Sequence, residues 1–424
     1  MAHWPVLCEN SDSTKQQDWQ DQAGVMMKSI EFAYTALEAV HVGQTVLEAL
    51  PAKVAQSGHQ RVLLVSNRSL SSANNDFAEL QQALAERCVG VFTQVRAHTP
   101  REDVLALLVK VTTTGADLLI AIGGGSVIDA CKTVQLAVDL GLQDEEDLLE
   151  YAQRGDGQRG RRAGNAEYYA ASSTIRQWAV PTTLSGAEYS NNAGVLDTQR
   201  SAKEGYRAPR LCPQHIFYDP QLGQQTPEWL WLSTAIRSLD HAIEGYCSAG
   251  SHAFLNGHFL HAMRLFAASL PVVKQNPDDL DARSLNQQAV WLACCGLGTV
   301  PHGASHGIGY ILGSLCGVPH GYTSCVMLPA VLQWNADALA GKQDDICAAL
   351  GGNSGSGKST AADTVRELIS GLGLPTSLES VGVKQSQWPE IARRAIQHPV
   401  VRNNPKPLTE EAQVMEILRL ASQP

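Results

Sequence analysis

From Arg61 onward the chain alternates short apolar or β-branched runs with stretches of helical period, which predicts a parallel sheet whose strands are joined by crossover helices. RVLLVSN (61–67) predicts a strand, SSANNDFAELQQALAERC (71–88) a helix and VGVFTQV (89–95) the next strand. Thr99-Pro100-Arg101-Glu102 has the form of a capping box and opens a helix running to about Val111. ADLLIAI (116–122), continuously apolar after Asp117, reads as a strand covered on both faces, and GGGS follows it at once. The polar, glycine-rich stretch RGDGQRGRRAG (154–164) predicts an insertion before the strand QWAVPTT (177–183). After Asp219-Pro220 the β-branched runs thin out, and from Pro227 the apolar positions recur with helical spacing. The pattern predicts an α/β domain over 1–220 with a parallel sheet, and an all-α domain over 221–424.

Composition narrows the class. With 424 residues, 44% hydrophobic and 17% charged, the chain is long enough for two domains that each bury a core. Its formal charge of -10 disfavours nucleic acid and anionic membranes as partners. The ten cysteines show no Cys-x-x-Cys spacing and lie mostly in apolar stretches, which points to a reducing compartment. Residues Met1 to Asp21 lack a basic segment followed by an apolar one, and no apolar run reaches the roughly 20 residues that span a bilayer. A cytoplasmic protein is expected.

Gly123-Gly124-Gly125-Ser126 joins the buried strand to the helix VIDACKTVQLAVDL. Its free amides and the positive end of the helix dipole make an anion site, although the turn alone is equally a tight strand-to-helix connection. GGGSVIDACK (123–132) is similar to the GGGS-x-x-D-x-A-K signature of the iron-containing (group III) alcohol dehydrogenases, departing at Cys131. PTTLSGAEYS (181–190) resembles the P-T-T-L-S-G-S-E of the maleylacetate reductases within that superfamily. The resemblance implies the dehydroquinate synthase-like fold of the iron-containing alcohol dehydrogenases: an N-terminal dinucleotide-binding domain and a helical catalytic domain. It places Gly124, Gly125, Ser126 and Asp129 at the pyrophosphate signature, Thr182, Thr183, Ser185 and Ser190 along the cofactor cleft, and Lys203 on a family lysine that approaches the cofactor. At the end of the first strand many members carry Asp, which would accept from the adenosine 2′-hydroxyl and repel a 2′-phosphate. Here the residue is Asn67, followed by Arg68, so NAD and NADP both remain open.

Arg237 and His241 lie four apart in a helical pattern, and His302, His306 and Tyr310 repeat that spacing, with His320 following. HGIGYILGSLCGVPHG (306–321) looks like the family's metal-binding segment, which puts His306 and His320 on two ligand positions and His241, in DHAIEGY (240–246), on a third. Two departures stand out. The family's fourth ligand is Asp, four residues before the histidine; here it is Arg237, which cannot ligate and repels a divalent ion. Maleylacetate reductases also lack that acid and are known as metal-free, so a metal-free site is favoured, with His241, His306 and His320 as the ligands should one bind. Arg237 suits a substrate carboxylate or oxyanion instead. Tyr310 stands where many members have a relay histidine, and a tyrosine hydroxyl with an ordinary pKa of ~10 is a poor shuttle near neutrality. His241, His306 and Tyr310 are the candidate proton donors.

The expected function is an NAD(P)H-dependent, maleylacetate-reductase-like hydride transfer to a carbonyl or activated alkene of a small carboxylate-bearing substrate. Alternatives are a redox-silent lyase, cyclase or isomerase on the same scaffold, a metal-dependent alcohol dehydrogenase, and a nucleotide-binding regulatory protein. A small molecule is the expected partner and a homodimer a possible assembly. NNPKPLTEEAQVMEILRLA (403–421) carries a further family-like pattern, N-P-x-P-x-T. Gly352 to Ser359 (GNSGSGKS) satisfies the Walker A pattern, yet KQDDICAALGG before it has helical composition and no buried strand delivers the turn. A connector between helices, the second capped by Ser359 or Thr360, accounts for it better. Lys358→Ala is therefore expected to leave turnover essentially unaltered in a steady-state assay.

Overall fold

Two runs of unbroken apolar sequence, Val62–Val65 and Leu118–Gly123, and a third segment, Arg176–Pro181, whose Arg176 and Gln177 are buried along with its apolar residues, become fully buried strands of one parallel sheet. The computed structural model describes residues 30–73, 76–154, 159–163, 175–200, 202–352 and 359–423. Everything below lies within the compact unit Tyr34–Pro424. Its strands are β1 (Ala39–Val42), β2 (Val62–Val65), β3 (Cys88–Phe92), β4 (Leu118–Gly123), β5 (Gln153–Arg154), β6 (Arg176–Pro181), β7 (Asn192–Asp197), β8 (Ala202–Arg207) and β9 (His215–Tyr218). Six of them form a sheet in the order β1-β9-β6-β4-β2-β3, every pairing parallel. The chain steps outward from β2 to β3 and then returns to β4 on the other side of β2. This reversal opens a crevice at the carboxyl ends of β2 and β4, where open α/β sheets bind ligands. The remaining strands, β5, β8 and β7, form a small antiparallel sheet.

The crossover helices are α1 (Val46–Ser57), α2 (Arg68–Ala73), α3 (Asp76–Leu84), α4 (Arg101–Thr114), α5 (Gly125–Leu140) and α6 (Glu145–Leu149). The expected helix over 71–88 is thus two short helices and a final 3-10 turn, with β3 starting one residue early. The capping box at Thr99 does not form. Thr99 has a left-handed backbone (φ 56°), and its hydroxyl donates to the Ser126 carbonyl instead of capping α4, while Glu102 is engaged by Thr198. Pro100 takes the cap position and α4 runs to Thr114.

Past Tyr218 the described residues hold only helices: α7 (Pro220–Gly223), α8 (Glu228–Cys247), α9 (Ala253–Gln275), α10 (Leu280–Cys294), α11 (Ala304–Cys316), α12 (His320–Trp334), α13 (Ala340–Ala349), α14 (Ala361–Gly371), α15 (Trp388–Gln397) and α16 (Glu411–Leu420), with short 3-10 turns between some of them. Helix α8 is buried along nearly its whole length and packs against α9, α10 and α12, so even its polar residues lie inside. None of the described helices is long and apolar enough to cross a membrane. The tip of the Walker-like stretch, 353–358, and residues 155–158 and 164 of the glycine-rich stretch lie outside the described residues, as does Met1 to Asp21. Beyond the tip, Thr360 caps α14 by accepting from the Asp363 amide.

The N-P-x-P-x-T segment acts on α11. Asn404 accepts from the Ala304 amide at the first turn of that helix and exchanges amide hydrogen bonds with Asn335. Three residues earlier, Val401 lies so close to Gly307 that a side-chain carbon there would sit 2.4 Å from a Val401 methyl, so α11 accepts the segment only with glycine at that position. Asn404→Ala is expected to lower stability by about 1–3 kcal/mol, read from the urea midpoint at constant m-value, because it leaves buried partners unmet.

Candidate active site

The glycine turn lies where the sheet's geometry puts a ligand. Gly123 pairs with Pro181 across β4 and β6, and the Thr182 amide donates to the Gly123 carbonyl, so the turn and the Thr182–Ser190 loop leave the sheet side by side. Gly124 is the N-cap of α5. A side-chain carbon on it would come within 2.9 Å of the Thr183 methyl, so glycine is required there by the loop as well as by any ligand. Gly125 faces Ser185 in the same way, at 3.3 Å from its hydroxyl. The Ser126 hydroxyl accepts from the His98 amide, in a turn whose His98 and Thr99 are both left-handed. Asn67 follows β2, and its carbonyl oxygen accepts from the Leu70 amide to start α2.

Of the expected cofactor residues, Ser190, Asp129 and Thr182 hold the framework. Lys132, wholly buried, donates to the Ala187 and Asn192 carbonyls and to the Ser190 hydroxyl, so Ser190 belongs to a knot that ties the loop to α5. Asp129 accepts from the Gly194 amide at 3.0 Å and anchors β7. Lys203 projects from β8, its neighbour Glu204 facing the other way to grip Arg101 with Asp197. Thr182 is buried, its carbonyl accepting from Thr226.

The loop continues onto α8. The Leu184 amide donates to Thr234, Ser238 donates to the Leu184 carbonyl, and the Ser185 backbone bonds the His241 ring. Here α8 and the start of α11 bring Arg237, His241 and His306 together. The His241 and His306 rings are 4.4 Å apart, and His302 stacks 4.2 Å from His306 with its Nε2 bonded to His241 Nδ1 at 2.9 Å. His306 Nδ1 bonds Glu244 at 2.7 Å, and its Nε2 is buried without a partner among the described residues. Burial holds the His241, His302 and His306 rings neutral, aided by the Arg237 charge. Burial also pushes the Glu244 carboxyl up, reinforced by Asp240 and opposed by the amides of Gly303, Ser305 and His306, which all donate to it.

Tyr310 and His320 line the exposed rim. Their rings stack at 6.3 Å, and the Tyr310 face receives the Arg237 guanidinium at 5.3 Å. His398, from the segment that follows α15, lies 5.6 Å from Tyr310 on its other flank. His302 lies with His241 and His306, their ring nitrogens within 4.8 Å of one another, while His320, expected with those two as a ligand, stands near enough for its charge to lower the pKa of both. His320 begins α12 at the rim, drawn to Tyr310, whereas His302 precedes α11 on the buried side. Sequence reasoning noted His302 by its spacing without giving it a role, and missed Asp240, Glu244 and His398. The acids showed no signal beyond lying one helical turn from Arg237 and His241.

The sequence profile of the iron-containing alcohol dehydrogenases matches residues 38–220, and that of the C-terminal part of the Fe-containing alcohol dehydrogenase family matches 231–422. The chain belongs to the iron-containing alcohol dehydrogenase family. It is accordingly an NAD(P)-dependent oxidoreductase. It is 32% identical over 394 residues to the dehydrogenase FUM7 of Gibberella moniliformis, covering 85% of this chain and 91% of that one. It is 26% identical to the maleylacetate reductase of Sphingobium indicum, covering 92% and 97%. Among solved structures, the sulfoacetaldehyde reductase from Bifidobacterium kashiwanohense in complex with NAD+ superposes with a TM-score of 0.80 at 21% identity, covering 94% of this chain and 100% of that one. These likenesses agree with the resemblance in GGGSVIDACK and PTTLSGAEYS.

Proposed function

We propose that this family member reduces a small oxo acid bearing a carboxylate, in the manner of a maleylacetate reductase, without a metal ion, and that residues 1–220 hold the dinucleotide while 221–424 hold the substrate. One observation carries the reading: Arg237 stands among the histidines, 1% exposed, with its Nε unpartnered among the described residues. A buried guanidinium with an open donor is fitted to a carboxylate or a developing oxyanion.

The residues present do not fit a resident divalent ion. His241 and His302 spend facing nitrogens on each other, Glu244 is filled by backbone amides, Asp240 accepts two hydroxyls on Oδ2 with its Oδ1 open among the described residues, and Arg237 adds repulsion of ~1 to 4 kcal/mol at short range. The dinucleotide fits better. Ser126 and the amides opening α5 would hold its pyrophosphate, with Thr183 and Ser185 beside them and Lys203 across the cleft. Asn67 bears no charge to repel a 2′-phosphate, so NADH and NADPH are both accommodated. When bound, the nicotinamide supplies a hydride to the substrate's carbonyl carbon or activated alkene. Arg237 orients the acid and stabilises the oxygen that gains charge. Glu244, its carboxyl pushed up to about 8 by burial, holds a proton and donates it to His306 Nδ1, so the neutral ring carries its own proton on the buried Nε2. As Nε2 gives that proton to the oxygen, Nδ1 takes the one from Glu244, with Tyr310 and His320 excluding water at the rim.

Purified protein should oxidise NADH or NADPH with maleylacetate, and Arg237→Met should lower kcat/KM by about tenfold to a hundredfold while the affinity for the dinucleotide, followed by fluorescence, stays unchanged. No oxidation of either cofactor by any oxo acid overturns the proposal. Elemental analysis should find far less than one equivalent of iron or zinc, and chelator treatment should leave turnover intact; stoichiometric metal required for turnover would contradict the metal-free reading.

A further inference from the structure

Arg237 is compensated in an unusual way. The nearest carboxylate, Asp240 on the next turn of α8, approaches only to 3.9 Å, beyond hydrogen-bonding reach. Between them stands Ser324 of α12. Arg237 Nη1 donates to the Ser324 hydroxyl at 3.0 Å, and that hydroxyl donates onward to Asp240 Oδ2 at 2.6 Å. Ser305 of α11 donates to the same carboxylate oxygen at 2.8 Å. A hydroxyl has one proton and two lone pairs, so once Asp240 takes the Ser324 proton, a lone pair is left facing Arg237. The carboxylate thus dictates the direction of the hydroxyl and the hydroxyl holds the guanidinium.

The arrangement separates two tasks that a direct ion pair would merge. Asp240 and Ser324 are both fully buried, and Asp240 supplies the negative charge that a cation in this interior requires. Because a neutral hydroxyl makes the contact, the planar fork is not saturated by a bidentate carboxylate, and the Nε donor stays open. We propose that Asp240 and Ser324 are positioning residues which balance Arg237 while keeping its donor edge free, Ser324 serving as a spacer that stops Asp240 from closing the fork. This rests on the reading that Arg237 takes the substrate's carboxylate.

The two residues should act with opposite sign. Ser324→Ala removes the spacer and lets Arg237 settle directly onto Asp240, whereas Asp240→Asn leaves the hydroxyl in place and the guanidinium short of its counter-charge. Succinate, a dicarboxylate that cannot accept a hydride, serves as the probe, titrated calorimetrically into the full-length enzyme saturated with NADH. Ser324→Ala should weaken succinate by about tenfold, the scale of one charge-assisted hydrogen bond, and Asp240→Asn should tighten it. Both variants are near-isosteric, and their NADH affinity should match the parent's. Unchanged succinate affinity in both, or equal weakening in both, overturns the spacer, provided Arg237→Met abolishes binding. If Arg237→Met leaves succinate binding intact, or the parent enzyme does not bind it, the reading of Arg237 itself fails.

Discussion

A guanidinium in the middle of a buried helix sets the terms for the helical half of the molecule. Removing such an ion from water costs several kcal/mol unless charge and hydrogen bonds are supplied around it. Arg237 receives its hydroxyl from α12 and its counter-charge from its own helix, and one oxygen of the carboxylate that provides this charge, Oδ2, in turn accepts from α11 and α12. Three helices therefore meet at one charge. Beside it, Glu244 accepts the amides at the start of α11, which satisfies donors that the helix leaves open and fixes where His306 projects. The geometry proposed for catalysis and the packing of α8, α11 and α12 rest on the same set of contacts.

The link to the sheet is made by one loop. Thr182–Ser190 leaves β6 beside the glycine turn, is locked to α5 by Lys132, and lies on α8 through Leu184, Ser185 and Ser238. The place where a pyrophosphate would sit and the place where Arg237 waits are thereby held in register by short, buried connections. Departures from the family's metal ligands are coherent within this frame. The acid that the resemblance leads one to expect at position 237 has a counterpart three residues on, Asp240, which reaches Arg237 through Ser324.

The sequence by itself determined the layers. The largely apolar run over 116–122 read as a strand covered on both faces and QWAVPTT as another strand, glycine after the first of them marked the ligand end of the sheet, and helical spacing beyond Pro227 pointed to helices. It also determined which residue types were available to the site, since Arg237, His241, His306 and Tyr310 fall on shared helix faces by spacing alone. The short strands β1, β7, β8 and β9 were not legible, because four to six residues carry too little alternation to stand out. Thr99 misled because a local capping pattern competed with a stronger distant acceptor, the Ser126 carbonyl. Tertiary structure decided the partners: that His302 rather than His320 joins the buried histidines, that Ser190 and Asp129 brace the framework, and that Ser324, 87 residues away, stands between Arg237 and Asp240. Local sequence fixes the face on which a side chain emerges; which group meets it there depends on how distant helices pack, and no spacing records that.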